Sequence, residues 1–480
     1  MSTPFAEQAP SLNSGDPTAR ALSPSSKAGA QRPTVRDAAG RTEQLPTAKN
    51  IQPPRCPKTL EETGLNSVML AELALKFLAV RGTGAGHELA QDLCLPFPIL
   101  EPILVHLKEQ KLVEVSGGDL MGPISYRFAL TDAGRSRARE AFNACHYVGP
   151  APVTLNQYTV QTRLQTVQGI PCSPESLNRV FTHLVLSDEL LNELGPAVVS
   201  GRSILIYGPP GSGKTAVSKA LGEFLNSYGG DIWIPYAIAI ETSVITVHDP
   251  LIHRSVPVPN DPPSAQSKEI VKSQAQTYDQ RWVRVRRPVV VVGGELTLEM
   301  LDLRYSTTAN IYQSPLHVKA NGGVFLIDDF GRQIVSPRNL LNRWILPLEE
   351  RQDFLTLATG KKIAIPFEEL ILFSTNLEPQ QLVDDAFLRR IRHKICVTCP
   401  SRDTLTQIFR KVCEQLGMPF QSGCLDFLYQ RYYDRGREPR SSDPRDLLEI
   451  VDSICRFRGI GRALNEELIA EATERFFGDL

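Results

Sequence analysis

Residues 203–216 read SILIYGPPGSGKTA. The first five, SILIY, form a short β-prone run. Gly208, Pro209, Pro210, Gly211, Ser212, Gly213, Lys214 and Thr215 follow, and from Ala216 to about residue 225 the chain is helix-prone. This is the complete G-x-x-x-x-G-K-T pattern in the strand–loop–helix setting that its chemistry needs. Glycines at 211 and 213 let the backbone approach phosphate oxygens, and the loop N–H groups point inward at the positive end of the helix. The Lys214 ammonium suits the β- and γ-phosphates of a nucleotide, and the Thr215 hydroxyl suits a Mg²⁺ shell. A glycine-rich turn before an ordinary helix is the competing description, and motif and context together argue against it.

Further along, Gly323-Val324-Phe325-Leu326-Ile327-Asp328-Asp329 is an apolar strand that ends in two carboxylates. Ile371-Leu372-Phe373-Ser374-Thr375-Asn376 is a second apolar strand ending in polar residues. Asp384-Asp385-Ala386-Phe387-Leu388-Arg389-Arg390-Ile391 ends in paired arginines. Ser442-Asp443-Pro444-Arg445-Asp446 opens a helix, with Asp443 or Ser442 as its cap and Pro444 in the first turn.

Taken in order, these segments resemble the AAA+ branch of the P-loop ATPases over residues 173–480. The resemblance implies ATP and Mg²⁺ as cofactors and gives each segment a role. Asp328 matches the Walker B aspartate of the Mg²⁺ shell. Asp329 stands where the family usually carries Glu, the base that orients the attacking water, and its side chain is one methylene shorter. Asn376 matches the sensor-1 position, set to hydrogen-bond the γ-phosphate or the water. Arg390, with Arg389 second, matches the arginine finger that completes a neighbouring subunit's site, because a guanidinium fork neutralises charge on the transferred group. Arg445 matches the sensor-2 position, with Arg440 as a rival. The fold implied is α/β: a three-layer αβα core over 173–400 and a C-terminal helical lid over 401–480. The partners implied are further copies of the chain, a hexamer being one candidate size, and a protein that is remodelled.

The segment 59–145 has a different pattern. A mostly apolar helix ends at Arg81-Gly82-Thr83-Gly84, a short helix spans 87–93, and a third spans about 98–111. Strands follow at 112–116 and 125–130, joined through Gly117-Gly118-Asp119. Thr131-Asp132 then caps a helix that runs to Ala144. Three helices, a two-stranded wing and a closing helix resemble a winged helix-turn-helix domain. The third helix has no Arg, Lys, Asn or Gln before Lys108, so the side chains that read bases are missing. Protein docking is favoured, with a DNA-binding regulator as the alternative.

The remaining segments carry weaker signals. Residues 1–58 are rich in Pro, Ser, Thr, Ala and Gln and are expected to be disordered. Residues 146–172 form a connector, and one helix is expected from 174 to about 194. About 110 residues separate Lys214 from Asp328, which suggests an insertion at roughly 250–318. Within it, Arg281-Trp282-Val283-Arg284-Val285-Arg286-Arg287 alternates like a strand, either with one cationic face or as a charged edge. Residues 353–365 pattern as a hairpin. They resemble the one before sensor 1 in the MoxR-type and sigma-54-activator branch, although the GAFTGA loop of those activators is absent. Cys396-Val397-Thr398-Cys399 lacks the second ligand pair that a metal site needs.

The 480 residues carry a formal net charge of −1, which excludes a polycation, so any basic surface is local. The apolar share of 42% is enough to build cores. Nine scattered cysteines suit a reducing cytoplasm rather than a disulfide framework. No run approaches the roughly 18 apolar residues of a membrane span, and the N-terminus lacks a basic-then-apolar leader.

Overall fold

Strands buried on both faces are near-continuous apolar runs; three such runs form the middle of the central sheet, and two partly exposed strands form its edges. They are β7 (Ile204–Tyr207), β12 (Val289–Val292), β15 (Val324–Ile327), β18 (Leu370–Thr375) and β19 (His393–Cys396), in the order β12-β15-β18-β7-β19 and all parallel. Alternate residues part to opposite faces. Ile204, Ile206, Val324, Leu326, Leu370 and Leu372 pack with Val217, Leu221 and Phe224 on one side. Leu205, Phe325, Ile327, Ile371 and Phe373 pack with Leu340 and Trp344 on the other. The result is a three-layer αβα core.

The computed structural model describes residues 34–36, 42–44, 51–117, 122–258, 278–382 and 385–478. The unit Met1–Leu45 contributes one antiparallel pair, β1 (Thr34–Arg36) with β2 (Thr42–Gln44). The rest of the expected disordered tail up to residue 50 lies outside the described residues. Residues 51–58 depart from that expectation. Pro54 O accepts from Asp279 N at 2.9 Å, and Gln52 O accepts from Gln161 Nε2 at 3.2 Å.

From there α1 (Leu60–Thr63) and α2 (Ser67–Arg81) lead to β3 (Thr83–Ala85), α3 (Gly86–Asp92), α4 (Phe97–Glu109), β4 (Val113–Gly117), β5 (Arg127–Leu130) and α5 (Asp132–Ala144). The sheet here has three strands, β3-β5-β4. The third strand was hidden in the glycines that end α2: Gly82 has a φ of 82° and turns the chain back so that Thr83 pairs with Ala129. The expected turn at 117–119 is described only at Gly117.

The connector does not float. β6 (Val153–Thr154) adds to a second sheet, and α6 (Leu155–Leu164) follows it. That sheet, β13-β14-β10-β9-β6, is built from β9 (Ala237–Ile240), β10 (Ser243–Thr246), β13 (Arg304–Ser306) and β14 (Ile311–Gln313). Beside it, β8 (Ile232–Pro235) pairs with β11 (Trp282–Val285). Because β12 belongs to the central sheet, the added structure lies on both sides of it in sequence and starts near Ile232, earlier than residue 250.

The core helices are α7 (Pro174–Val180), α8 (Asp188–Ser200) and α9 (Lys214–Tyr228). The single helix expected from 174 is broken, because the Ser187 side chain caps a new start by accepting from Leu190 N. On the other face come α10 (Leu316–Lys319), α11 (Pro337–Arg343) and α12 (Ile345–Glu350). β16 (Gln352–Thr356) and β17 (Lys362–Pro366) form the expected hairpin. Its Leu355, Leu357, Ile363 and Ile365 are buried with Trp233 and Trp282 of the added structure. Short α13 (Pro379–Leu382) and α14 (Asp385–Leu388) precede β19. A helical unit closes the chain with its own core: α15 (Arg402–Leu416), α16 (Ser422–Arg431), α17 (Asp443–Arg458) and α18 (Glu466–Phe477).

The two arginines that flank β11 are neither a cationic face nor a charged edge, while Arg284 pairs with Asp231 at 2.7 Å and Arg286 is exposed. Arg281 is buried against Asp279 at 2.8 Å and donates to Thr63 O and Pro152 O, both at 3.1 Å. Arg287 is buried and donates to Gly229 O (2.7 Å), Gln165 O (2.9 Å), Gly230 O (3.1 Å) and Gly322 O. These guanidinium groups tie loops together through backbone carbonyls. Arg287→Met should therefore destabilise the protein by about 3–5 kcal/mol, since it strands buried acceptors. Arg286→Met, at an exposed neighbour, should stay within about 0.5 kcal/mol. Paired denaturant melts check this, and equal melts would contradict it.

Candidate functional site

Sheet register brings the site together. Tyr207 registers with Thr375 on one side and Cys396 on the other, and Ile327 registers with Phe373. The residues just past these strand ends, Gly208, Asp328 and Asn376, therefore share one edge. That edge is the carboxyl end of a parallel sheet, where open α/β folds bind ligands.

The loop has the backbone its glycines allow. Gly208, Gly211 and Gly213 have φ of 143°, 80° and 99°. A Cβ at Gly208 would meet Val397 O at 2.2 Å, because the exit of β19 runs alongside. Lys214 and Thr215 are the first residues of α9. Lys214 Nζ donates to Gly208 O at 3.0 Å and Pro209 O at 2.7 Å, so the lysine folds back over its own loop. Burial pushes its ammonium below the ordinary pKa, while the nearby Asp329 and Asp328 carboxylates act in the opposite sense. The Ser212 hydroxyl is buried and has no hydrogen-bond partner among the described residues. Pro210 and Ala216 stand within the same loop and helix start.

Thr215 Oγ1 donates to Asp328 Oδ2 at 2.9 Å. Asn376 Nδ2 donates to Asp329 Oδ1 at 3.2 Å. Asp329 is exposed, with a φ of 50°, a left-handed conformation that aspartate tolerates better than most residues. Phe330 N donates to Ser374 O at 2.6 Å and Gln333 Nε2 to Asp328 O at 2.8 Å, so both carboxylates sit on a braced turn. Nothing in the sequence pattern pointed to Gln333.

The helical unit reaches this loop through residues 440–442. Ser442 N donates to Gly211 O at 3.0 Å, and a Cβ on Gly211 would meet Arg440 Cδ and Ser442 Oγ at 2.9 Å. Asp443 holds that turn: its Oδ2 accepts from Arg440 N at 3.0 Å and Tyr433 Oη at 2.9 Å, and burial pushes its carboxyl upward. Arg440 is thus the arginine beside the loop. Arg445 is exposed and pairs with Glu449 along its own helix at 3.0 Å.

Arg390 is not at this edge. It pairs with Glu349 at 2.9 Å, and its carbonyl accepts from Ser203 Oγ, at the opposite end of β7. Arg389 is exposed there. Cys396 faces solvent beside Tyr207, and Cys399 Sγ lies 3.6 Å from Glu438 Oε2. No group of three or more His, Cys, Asp or Glu among the described residues could hold a metal ion. None of the described helices is long and apolar enough to cross a membrane.

Comparison with known families matches residues 401–475, the closing helical unit, to a domain of unknown function (DUF8689). Comparison with curated proteins gives no match. Among solved structures, NtrX from Brucella abortus in complex with ADP is similar over 70% of this chain and 65% of its own, at 13% identity and a TM-score of 0.36. The chain thus spans just under two thirds of that relative. The Thermotoga maritima RuvB Holliday junction branch migration motor is similar over 63% and 70%, at 14% identity and a TM-score of 0.31. Domain III of the Thermotoga maritima replication initiation protein DnaA is similar over 64% and 99%, at 13% identity and a TM-score of 0.34. Likenesses this loose carry no functional argument, and the reading of the site rests on its own geometry.

The tight fit at Gly211 makes a prediction. Gly211→Ala should cost about 1–3 kcal/mol, from the left-handed backbone and from displacing Arg440 and Ser442. Gly213→Ala, which meets open space, should cost only the backbone share. Thermal melts of the two variants check the order, and a larger loss at Gly213 would contradict it.

Proposed function

We propose that the chain binds ATP at residues 208–216 and hydrolyses it as an oligomeric AAA+ type ATPase whose cycle remodels a protein partner. The observation that carries the reading is the Thr215–Asp328 hydrogen bond beside the Asn376–Asp329 contact. It joins a phosphate loop, a hydroxyl and carboxylate of the kind that holds Mg²⁺, and an amide that fixes a second carboxylate. The donor set fits the ion, since Thr215 and Asp328 offer hard oxygens, and the unpartnered Ser212 hydroxyl marks a cradle open to a ligand. Thr215 and Asp328 would hold Mg²⁺, which when bound neutralises charge on the β- and γ-phosphates.

Each residue of the chain then has a task. Lys214 exchanges the Gly208 and Pro209 carbonyls for phosphate oxygens, a stronger partner for an ammonium. The loop N–H groups position the phosphate chain. Asp329 orients the attacking water and accepts its proton, and Asn376 fixes the carboxylate that does so. Arg440, docked against Gly211, takes the sensor-2 task ahead of Arg445. Arg390 stands at the far end of β7 from its own loop, which suits a residue that completes the site of a neighbouring copy.

A protein partner fits segment 59–145 better than duplex DNA does. The exposed positions of α4 include Pro98, Pro102, Val105, His106, Lys108 and Glu109, which offer little to base edges.

Steady-state ATP hydrolysis against protein concentration tests the proposal. Turnover per subunit should rise with concentration and vanish in Lys214→Ala. Asp329→Asn should keep ATP binding and lose about 10²-fold or more in turnover. A wild type that binds ATP but turns it over no faster than Lys214→Ala at any concentration would overturn the hydrolytic reading.

A further inference from the structure

Between α2 and α5 lies a cavity of about 310 Å³, and no residue of α4 or of the phosphate loop lines it. Helix periodicity assembles one wall: Arg135, Ala138, Arg139 and Phe142 stand at i, i+3, i+4 and i+7 on α5 and share a face. Leu78 and Ala79 of α2 form the other wall, and Leu130 closes the groove from the end of β5. A Cβ on Gly82 would meet nothing within 4 Å, so the end of α2 leaves the groove open.

The cavity has an apolar floor and a cationic rim. Leu78, Leu130 and Ala138 are buried, while Ala79, Arg135 and Arg139 are exposed. No carboxylate lines it. Arg135 is braced, donating from Nη1 to Leu130 O at 2.9 Å. Its ion pair with Asp132 lies at the surface, where the Asp132 side chain is 96% exposed. A pair so solvated contributes little, and Asp132 yields to another carboxylate at small cost. Arg139 Nε donates to Arg135 O at 3.4 Å, and its guanidinium has no carboxylate partner among the described residues. Glu72 and Glu140 are engaged elsewhere, both by Arg137.

The volume sits at the low end of the range for small-molecule sites. It suits one bulky side chain better than a cofactor. A ligand anchored by one side chain needs further contacts around the anchor, and the two arginines offer them to carboxylates.

We propose that this groove is the docking face for the protein partner, and that the partner presents an acidic peptide segment whose bulky apolar side chain enters the cavity. The proposal rests on the reading that segment 59–145 meets a protein, and it adds the face and the chemistry. The buried anchor supplies affinity. The arginines fix register and turn basic segments away.

The test is fluorescence anisotropy on the full chain, with a labelled peptide of three glutamates on each side of a central phenylalanine. Two control peptides carry alanine in place of the phenylalanine, or lysines in place of the glutamates. The acidic phenylalanine peptide should bind at least about tenfold more tightly than either control. Ala79→Glu sets a carboxylate in the rim at an exposed helical position and should weaken binding at least about fivefold. Ala79→Gln, of like size and uncharged, should weaken it less. Arg139→Glu should narrow the gap between the acidic and lysine peptides by about tenfold, a change that a merely structural loss does not produce. Melts compare the folding of the variants. If the acidic peptide does not bind, or binds without regard to its phenylalanine, Ala79→Glu and Arg139→Glu, the proposal is overturned. Two outcomes separate it from the reading beneath it. Peptide binding that survives the groove variants and is lost in His106→Ala/Lys108→Ala on α4 overturns the groove alone. Duplex DNA that binds in place of the peptide, and is lost in Arg139→Glu, overturns both.

Discussion

Thr215 and Asp328 stand 113 positions apart, and a hydrogen bond joins them. The rest of the site depends on that contact. It requires β7 and β15 to be parallel, in register, and separated by one strand, so that a hydroxyl at the start of α9 reaches a carboxylate past β15. The intervening strand is β18, and its end supplies Asn376. A slip of one residue in any of these strands would turn each apolar side chain to the opposite face, and would carry the polar ends out of reach. Close packing of Ile204–Ile206, Val324–Ile327 and Leu370–Phe373 on both faces resists the slip, because each side chain is fitted to its own neighbours. Core packing, made for stability, thereby sets the geometry of the chemistry.

Arginine does two kinds of work in this chain. Arg281 and Arg287 are buried structural ties that satisfy backbone carbonyls of loops from distant segments. Through them and through β6, the N-terminal module, the added sheet and the core form one framework: Arg281 touches Thr63 O and Pro152 O, and Arg287 touches Gln165 O and Gly322 O. Arg202, Arg389, Arg390, Arg392 and Lys394 instead gather at one end of the sheet around open space. A near-neutral chain can hold both arrangements, because the first kind is hidden and the second is confined to one cavity.

Much of this was legible in the sequence, and the reasons for the rest are physical. The loop at 208–215 and the paired carboxylates at 328–329 could be placed because each ends an apolar run whose burial is certain. The resemblance favours Arg445 over Arg440, since no local pattern tells which side of Pro444 faces the loop; in the structure Ser442 N donates to Gly211 O and Arg440 lies beside it, while Arg445 pairs with Glu449. The alternation at 281–287 was misjudged because periodicity reports which way a side chain points, not whether water or carbonyl oxygens await it. The break between α7 and α8 carried a signal, Ser187-Asp188-Glu189, that apolar periodicity outweighed. Residues 51–58 look tail-like in composition, yet their carbonyls are bound by Gln161 and Asp279, partners more than 100 positions away that no local pattern reveals.

The most direct measurement of the central claim is equilibrium binding of ATP, with and without Mg²⁺, to the wild type, Thr215→Ala and Lys214→Ala. If the loop and Asp328 form one nucleotide site, the wild type binds one ATP per subunit and gains affinity from Mg²⁺. Thr215→Ala then loses that gain while retaining metal-free binding, and Lys214→Ala loses affinity under both conditions. Equal affinity in all three proteins, or a Mg²⁺ effect that survives Thr215→Ala unchanged, would contradict the account.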